Sequence, residues 1–199
     1  MASKQSSENH HHMNNSRYGI KYLSLAKCVQ ITDKSLIFLC KMGFFLHIKY
    51  LNLRGCSQVT DKFLKHFTGF HGLVNYAKAT QQYEEKDDMS ITPGLESLRL
   101  LPAIPLYLKS LDLSKCSITN KSIEYLCRLV SVKPDILKRL SLRSCDNITD
   151  EGVRLLTIYC RNLQHLNVAK CSKVTSISLR DIKRNCKCCI IQHTNFSFC

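Results

Sequence analysis

Apolar positions along this chain recur in the pattern L-x-x-L-x-L-x-x-C, with conservative replacements. It occurs as IKYLSLAKC (Ile20 to Cys28), IKYLNLRGC (Ile48 to Cys56), LKSLDLSKC (Leu108 to Cys116), LKRLSLRSC (Leu137 to Cys145) and LQHLNVAKC (Leu163 to Cys171). The alternation within each segment predicts a short strand with one face buried. Successive closing cysteines are 28, 60, 29 and 26 residues apart, so three gaps follow one period and the fourth is doubled. A second signature follows each cysteine: ITDKSL at Ile31, VTDKFL at Val59, ITNKSI at Ile118, ITDEGV at Ile148 and VTSISL at Val174. The residue after Thr is Asp, Asn or Ser, each a good helix N-cap. Apolar residues then return at helical spacing, as in Leu36, Leu39 and Cys40, and in Val153, Leu156 and Cys160. Each unit therefore reads as strand, loop and helix.

One such unit cannot bury its apolar face alone, whereas stacked units can. The fold class expected is an α/β solenoid, a horseshoe with parallel strands inside and helices outside, over residues 17–185. The spaced leucines face the core. Cys28, Cys56, Cys116, Cys145 and Cys171 form a buried ladder, each thiol small enough to pack and able to donate weakly to a carbonyl. One cysteine per repeat is a packing pattern, and no metal site is expected from it.

Alternation also nominates a binding face, because residues between the leucines point to the concave side. These are Tyr22, Ser24 and Ala26; Tyr50, Asn52 and Arg54; Ser110, Asp112 and Ser114; Arg139, Ser141 and Arg143; and His165, Asn167 and Ala169. The candidates for partner contact are Tyr22, Tyr50, Asn52, Arg54, Asp112, Arg139, Arg143, His165 and Asn167. Tyrosine and arginine are common interface anchors. Tyr22 beside Tyr50, and Arg139 beside Arg143, would suit a partner with apolar and acidic features.

Three stretches fall outside the pattern. Residues 1–16 are polar and read as a disordered leader, with His10–His12 too short a run to bind metal well. Residues 67–107 read as an irregular insertion that interrupts one repeat. There the charge turns to −2, against +7 over residues 17–66 and +9 over 108–199. Residues 186–199 read as a C-terminal cap. Cys186, Cys188, Cys189, His193 and Cys199 lie there, but their spacing does not match the paired cysteines of structural zinc sites.

Composition narrows the function classes. The chain has 199 residues, 44% of them hydrophobic, enough for a packed domain. No run approaches the ~18 apolar residues of a membrane span, and the N-terminus lacks a signal-peptide apolar region. Membrane partners are not expected, and the twelve cysteines point to a reducing compartment, cytoplasmic or nuclear. The net charge of +14 raises nucleic acid, but the basic residues read as dispersed through strands and helices, without aromatic interleaving. Nucleic-acid binding is not expected. No nucleotide-binding, zinc-protease or serine-hydrolase motif is present, so neither catalysis nor a cofactor is expected.

The L-x-x-L-x-L-x-x-C unit with ITD after it resembles the cysteine-containing leucine-rich repeats of F-box proteins. SRYGIKYLSLAKCVQITD (Ser16 to Asp33) and IKRNCKCCIIQHTNFSF (Ile182 to Phe198) carry the resemblance most specifically. It covers about residues 16–66 and 108–199, with no counterpart for residues 67–107. The resemblance implies a non-catalytic substrate receptor of a Skp–cullin–F-box ubiquitin ligase, whose repeats hold a protein substrate. An F-box is longer than the stretch before the first repeat, so the Skp adaptor and cullin are expected partners only where an F-box lies upstream. A scaffold without a ubiquitin role is the alternative.

Overall fold

The computed structural model describes residues 19–69, 105–185 and 190–192. The leader at 1–16, most of the stretch at 67–107 and most of the segment at 186–199 lie outside them. Strands and helices alternate: β1 (Tyr22–Ser24), α1 (Asp33–Lys41), β2 (Tyr50–Asn52), α2 (Asp61–Phe67), β3 (Ser110–Asp112), α3 (Asn120–Val132), β4 (Arg139–Ser141), α4 (Asp150–Tyr159), β5 (His165–Asn167), α5 (Ser176–Asn185) and β6 (Ile190–Gln192). All six strands join one parallel sheet in chain order. The central leucine of each repeat is in register with the next, from Leu23 through Leu51, Leu111, Leu140 and Leu166 to Ile191. β2 pairs directly with β3, although Leu51 and Leu111 are 60 residues apart. β6 adds a strand that the five nine-residue segments do not include.

The leucines form the core as their spacing requires. Leu51, Leu53, Leu111, Leu113, Leu140, Leu142 and Leu166 are all buried. Each such side chain contributes about 1.5–3 kcal/mol relative to exposure. Phe45, Phe63 and Phe67 add an aromatic cluster between the first two repeats, with ring centroids 5.0–6.2 Å apart. Phe67 and Thr68 thus belong to the packed body of the second repeat.

Two hydrogen-bond ladders tie each repeat to the next. The first uses the cysteines. Cys56 Sγ donates to the Leu25 carbonyl at 3.1 Å, Cys116 to Leu53 at 3.2 Å, Cys145 to Leu113 at 3.2 Å and Cys171 to Leu142 at 3.0 Å. The same carbonyls accept the backbone N–H of the cysteine in their own repeat, so both lone pairs are used. Cys28 corrects the expected ladder. It is exposed, with only the Ala26 carbonyl at 4.0 Å, because no repeat precedes it among the described residues.

The second ladder corrects the expected helix caps. The N-cap residue is the threonine, at Thr32, Thr60, Thr119 and Thr149, and the Asp or Asn after it is already helical. Thr60 and Thr119 accept from the N–H groups of Lys62 and Lys121. The acidic side chain instead crosses to the next repeat. Asp33 accepts from Thr60 N at 2.8 Å and Thr60 Oγ1 at 2.5 Å. Asp61 accepts from Thr119 N at 2.9 Å, Thr119 Oγ1 at 2.7 Å and the Ser122 hydroxyl. Its position in the first turn also suits the helix dipole.

The residue before each cysteine adopts the left-handed conformation: Lys27, Gly55, Lys115, Ser144 and Lys170, with φ between 57° and 79°. Only Gly55 does so without steric cost. The turn aims four of these N–H groups at the next repeat, from Lys27 to Arg54 O at 2.6 Å through Ser144 to Ala169 O at 2.9 Å.

Candidate functional site

The strand register sorts the nominated residues into two rows. One runs Tyr22, Tyr50, Ser110, Arg139, His165, Ile190; the other runs Ser24, Asn52, Asp112, Ser141, Asn167, Gln192. Seven of the nine candidates therefore share one sheet face: Tyr22, Tyr50, Asn52, Asp112, Arg139, His165 and Asn167. Arg54 and Arg143 do not lie in these rows. Both sit beyond the strand ends on the turn, where their carbonyls receive Lys27 and Lys115. Arg139 and Arg143 are four residues apart along the chain, roughly 13 Å in extended backbone, so they do not form one patch. Ser114 and Ala169, expected on the face, are buried because the turn rotates them inward.

Within the rows the environments differ. Tyr22 and Tyr50 stack face to face, with centroids 4.7 Å apart and planes 9° from parallel. Tyr22 stays 67% exposed, so the pair is an aromatic shelf at one end of the sheet. Asn52, Asp112 and Asn167 carry structural hydrogen bonds. Their side-chain oxygens accept the N–H two residues on, from Arg54 at 3.0 Å, Ser114 at 2.9 Å and Ala169 at 3.0 Å. Asp112 also accepts from the Ser114 hydroxyl at 2.5 Å, and that hydroxyl lies 2.8 Å from Ser141 Oγ. These side chains fix the turn that sets the rim. Toward the other end, Asp112, Arg139, Ser141, His165 and Asn167 line a shallow trough of about 380 Å3, which Ile190 and Gln192 of β6 complete.

Burial keeps several of the thiols protonated. Burial pushes Cys40 and Cys145 up to about 12 and raises Cys56, Cys116 and Cys171 as well. A hydrogen bond with Cys127, together with burial, raises Cys160. Protonated thiols are weak nucleophiles, and they keep the S–H that the ladder donates. Among the described residues, no group of three His, Cys, Asp or Glu side chains could hold a metal ion. No described helix is long and apolar enough to cross a membrane.

Charge is less dispersed than the sequence reading has it. The five nine-residue strand segments hold ten basic residues and one acid, Asp112, whereas the rest of the chain holds nineteen and fourteen. The sheet side therefore carries most of the net charge.

One family profile agrees with the architecture. The profile of the family described as "Leucine Rich repeat" matches residues 106–127 and 137–156. A chain from a crystal structure of the Rad7 and Elc1 complex in yeast is similar at 20% sequence identity, with a TM-score of 0.48. The similarity covers 78% of this chain and 29% of that one, so this chain spans less than a third of that length. The fold is an α/β leucine-rich-repeat solenoid, an architecture of protein-interaction modules.

Proposed function

We propose that the concave sheet face holds a protein partner, and that the repeats act as the substrate-recognition part of a Skp–cullin–F-box ubiquitin ligase receptor. The carrying observation is the pair of in-register rows, which presents the Tyr22–Tyr50 shelf, Arg139 and His165 to one side. A stacked aromatic pair is already ordered before binding, so a partner that covers it loses little side-chain freedom there. Arg139 offers a planar donor group for a carboxylate or carbonyl. The role of such a receptor is positional: it supplies no reacting group and raises the local concentration of substrate near the ubiquitin-charged enzyme.

The ligase assignment rests on resemblance. The segments Ser16 to Asp33 and Ile182 to Phe198 resemble the corresponding parts of F-box and leucine-rich-repeat protein 7. The test is capture followed by reconstitution. Proteins retained by the chain after photo-crosslinking are compared with those retained by a Tyr22→Ala/Tyr50→Ala variant of equal melting temperature. Loss of a discrete partner supports the concave face, and unchanged retention overturns it. The captured protein is then assayed for ubiquitination with an F-box joined upstream of the repeats. Ubiquitination supports the receptor role, and its absence leaves the scaffold role.

A further inference from the structure

The two edges of the concave face are both basic. Lys21, Lys49, Lys109 and Lys138 occupy the same position, just before their strands, and are joined rung to rung. Lys49 N donates to Lys21 O at 2.8 Å, Lys109 N to Lys49 O at 2.7 Å and Lys138 N to Lys109 O at 2.9 Å. Four lysines thus stand in file at the strand spacing of about 4.8 Å. Lys27, Arg54, Lys115, Arg143 and Lys170 occupy the opposite rim. Arg139 and His165 lie between the two files. Asp112, the acid on the strands, already serves Ser114, and Asp146 stands on the turn at the rim near Cys171. Asp135 sits at the lower edge, 3.1 Å from Lys138 Nζ, with its carbonyl accepting from Lys109 Nζ at 2.8 Å.

We infer that the concave face accepts an acidic polypeptide segment lying across the strands between these two basic files. The inference rests on the proposed role of this face in protein binding, and it makes the acidic feature read from the sequence a segment that spans both rims. Low-dielectric focusing between two like-charged rims concentrates an anion over the groove. Six strands span about 24 Å, the length of roughly seven extended residues. Carboxylate side chains on alternate sides of such a segment reach both rims, while its apolar end covers the tyrosine shelf. A nucleic-acid strand fits less well. Base stacking needs several open ring faces, but here Tyr22 and Tyr50 cover each other.

The test titrates the 199-residue chain with a fluorescein-labelled octaglutamate peptide at about 50 and about 150 mM salt, spanning a clear change in screening. Octaserine and oligothymidine are the comparison probes. One variant reverses the face (Lys49→Glu, Arg139→Glu, Arg143→Glu), and another reverses exposed positions on helices α2, α3 and α4 (Lys62→Glu, Lys121→Glu, Arg154→Glu). A third replaces the same face residues with Gln, in case the reversed face fails to fold. The expected result is octaglutamate binding that falls at least about ten-fold in the face variants and stays within about two-fold in the helix variant. Three results overturn the inference: no octaglutamate binding, equal loss in the face and helix variants, or displacement of octaglutamate by lower concentrations of oligothymidine. Partner capture that needs Tyr22 and Tyr50 but survives reversal of the face also rejects the acidic class, while protein binding at this face stands.

Discussion

The joint between the third and fourth repeats and the joint between the fourth and fifth use equivalent positions with different chemistry. In the latter, Asp150 accepts Thr175 N at 2.8 Å, Thr175 Oγ1 at 2.8 Å and the Ser178 hydroxyl at 2.5 Å. In the former, Asn120 accepts Thr149 N at 3.1 Å, and its Nδ2 donates to Thr149 Oγ1 at 2.8 Å. The amide brings its own donor, and Gly152 stands where the other joint has Ser178. A Cβ on Gly152 would collide with Asn120 Oδ1. Asp goes with Ser at this joint and at the Asp61–Ser122 joint, and Asn goes with Gly, while the first joint sets Phe63 at that position beside Asp33. The amide joint also uses the threonine oxygen that caps the helix at Thr60 and Thr119, and Thr149 makes no side-chain cap bond. The comparison shows that the repeats conserve a closed set of hydrogen bonds and let the residues that supply them vary.

Breaking a carboxylate joint has the largest expected effect. Asp61→Ala removes the acceptor for Thr119 N, Thr119 Oγ1 and the fully buried Ser122 hydroxyl. Urea unfolding is expected to show a loss of about 3 kcal/mol, most of it from stranded buried donors. A loss below about 1 kcal/mol would show that the ladder is not what joins the repeats. Crowding the amide joint comes next. Gly152→Ala gains helix propensity but strikes Asn120, for a net loss of about 1–2 kcal/mol. Adding Asn120→Ala removes the collision, so a double-mutant cycle should give a coupling of about 1 kcal/mol. Independent losses would contradict the pairing.

Converting one joint into the other is expected to change less. Asn120→Asp with Gly152→Ser rebuilds the carboxylate set and should unfold within about 0.5 kcal/mol of the parent, with both single variants less stable. The smallest effect is on acid stability. Burial alone would raise the Asp150 carboxyl, but hydrogen bonds from Ser178 and Thr175 outweigh it and hold the group below its ordinary 3.8. The unfolded chain then takes up the proton first. This contribution is complete above 3.8 and is lost as pH falls through the lower folded value. Asp150→Asn should therefore lose less stability between pH 6 and pH 3 than the parent, as read from urea midpoints. An equal acid loss would mean that the joint carries no charge dependence.

Much of the fold was legible because it lives in short-range pattern. The leucine alternation places β1 to β5, and the Thr-Asp signature places the helix starts. What was misread depends on neighbours about a repeat away. Asp33 and Asp61 look like caps in isolation, but their carboxylates serve Thr60 and Thr119 in the following repeat. Cys28 has the same motif as Cys56, yet it lacks a preceding carbonyl among the described residues. Ser114 and Ala169 alternate correctly but lie past the strand, where the turn ends the alternation. β6 shows only Ile191 in a leucine position, with His193 where the next leucine would stand. The basic files were missed because their members are distant in sequence, and only the register lines them up.

The direct pairing of β2 with β3 bears on the order of assembly. Neighbouring strands elsewhere in the first five close loops of 26 to 29 residues, while this pair closes one of 60. Doubling a loop adds about 0.6 kcal/mol to its closure. The chain is thus expected to condense as two blocks, β1–α2 and β3–β6, each held by local contacts. The barrier then sits at their docking. Cys116 and Asp61, whose bonds span that seam, belong to the last step, and weakening them should hasten unfolding more than it slows folding.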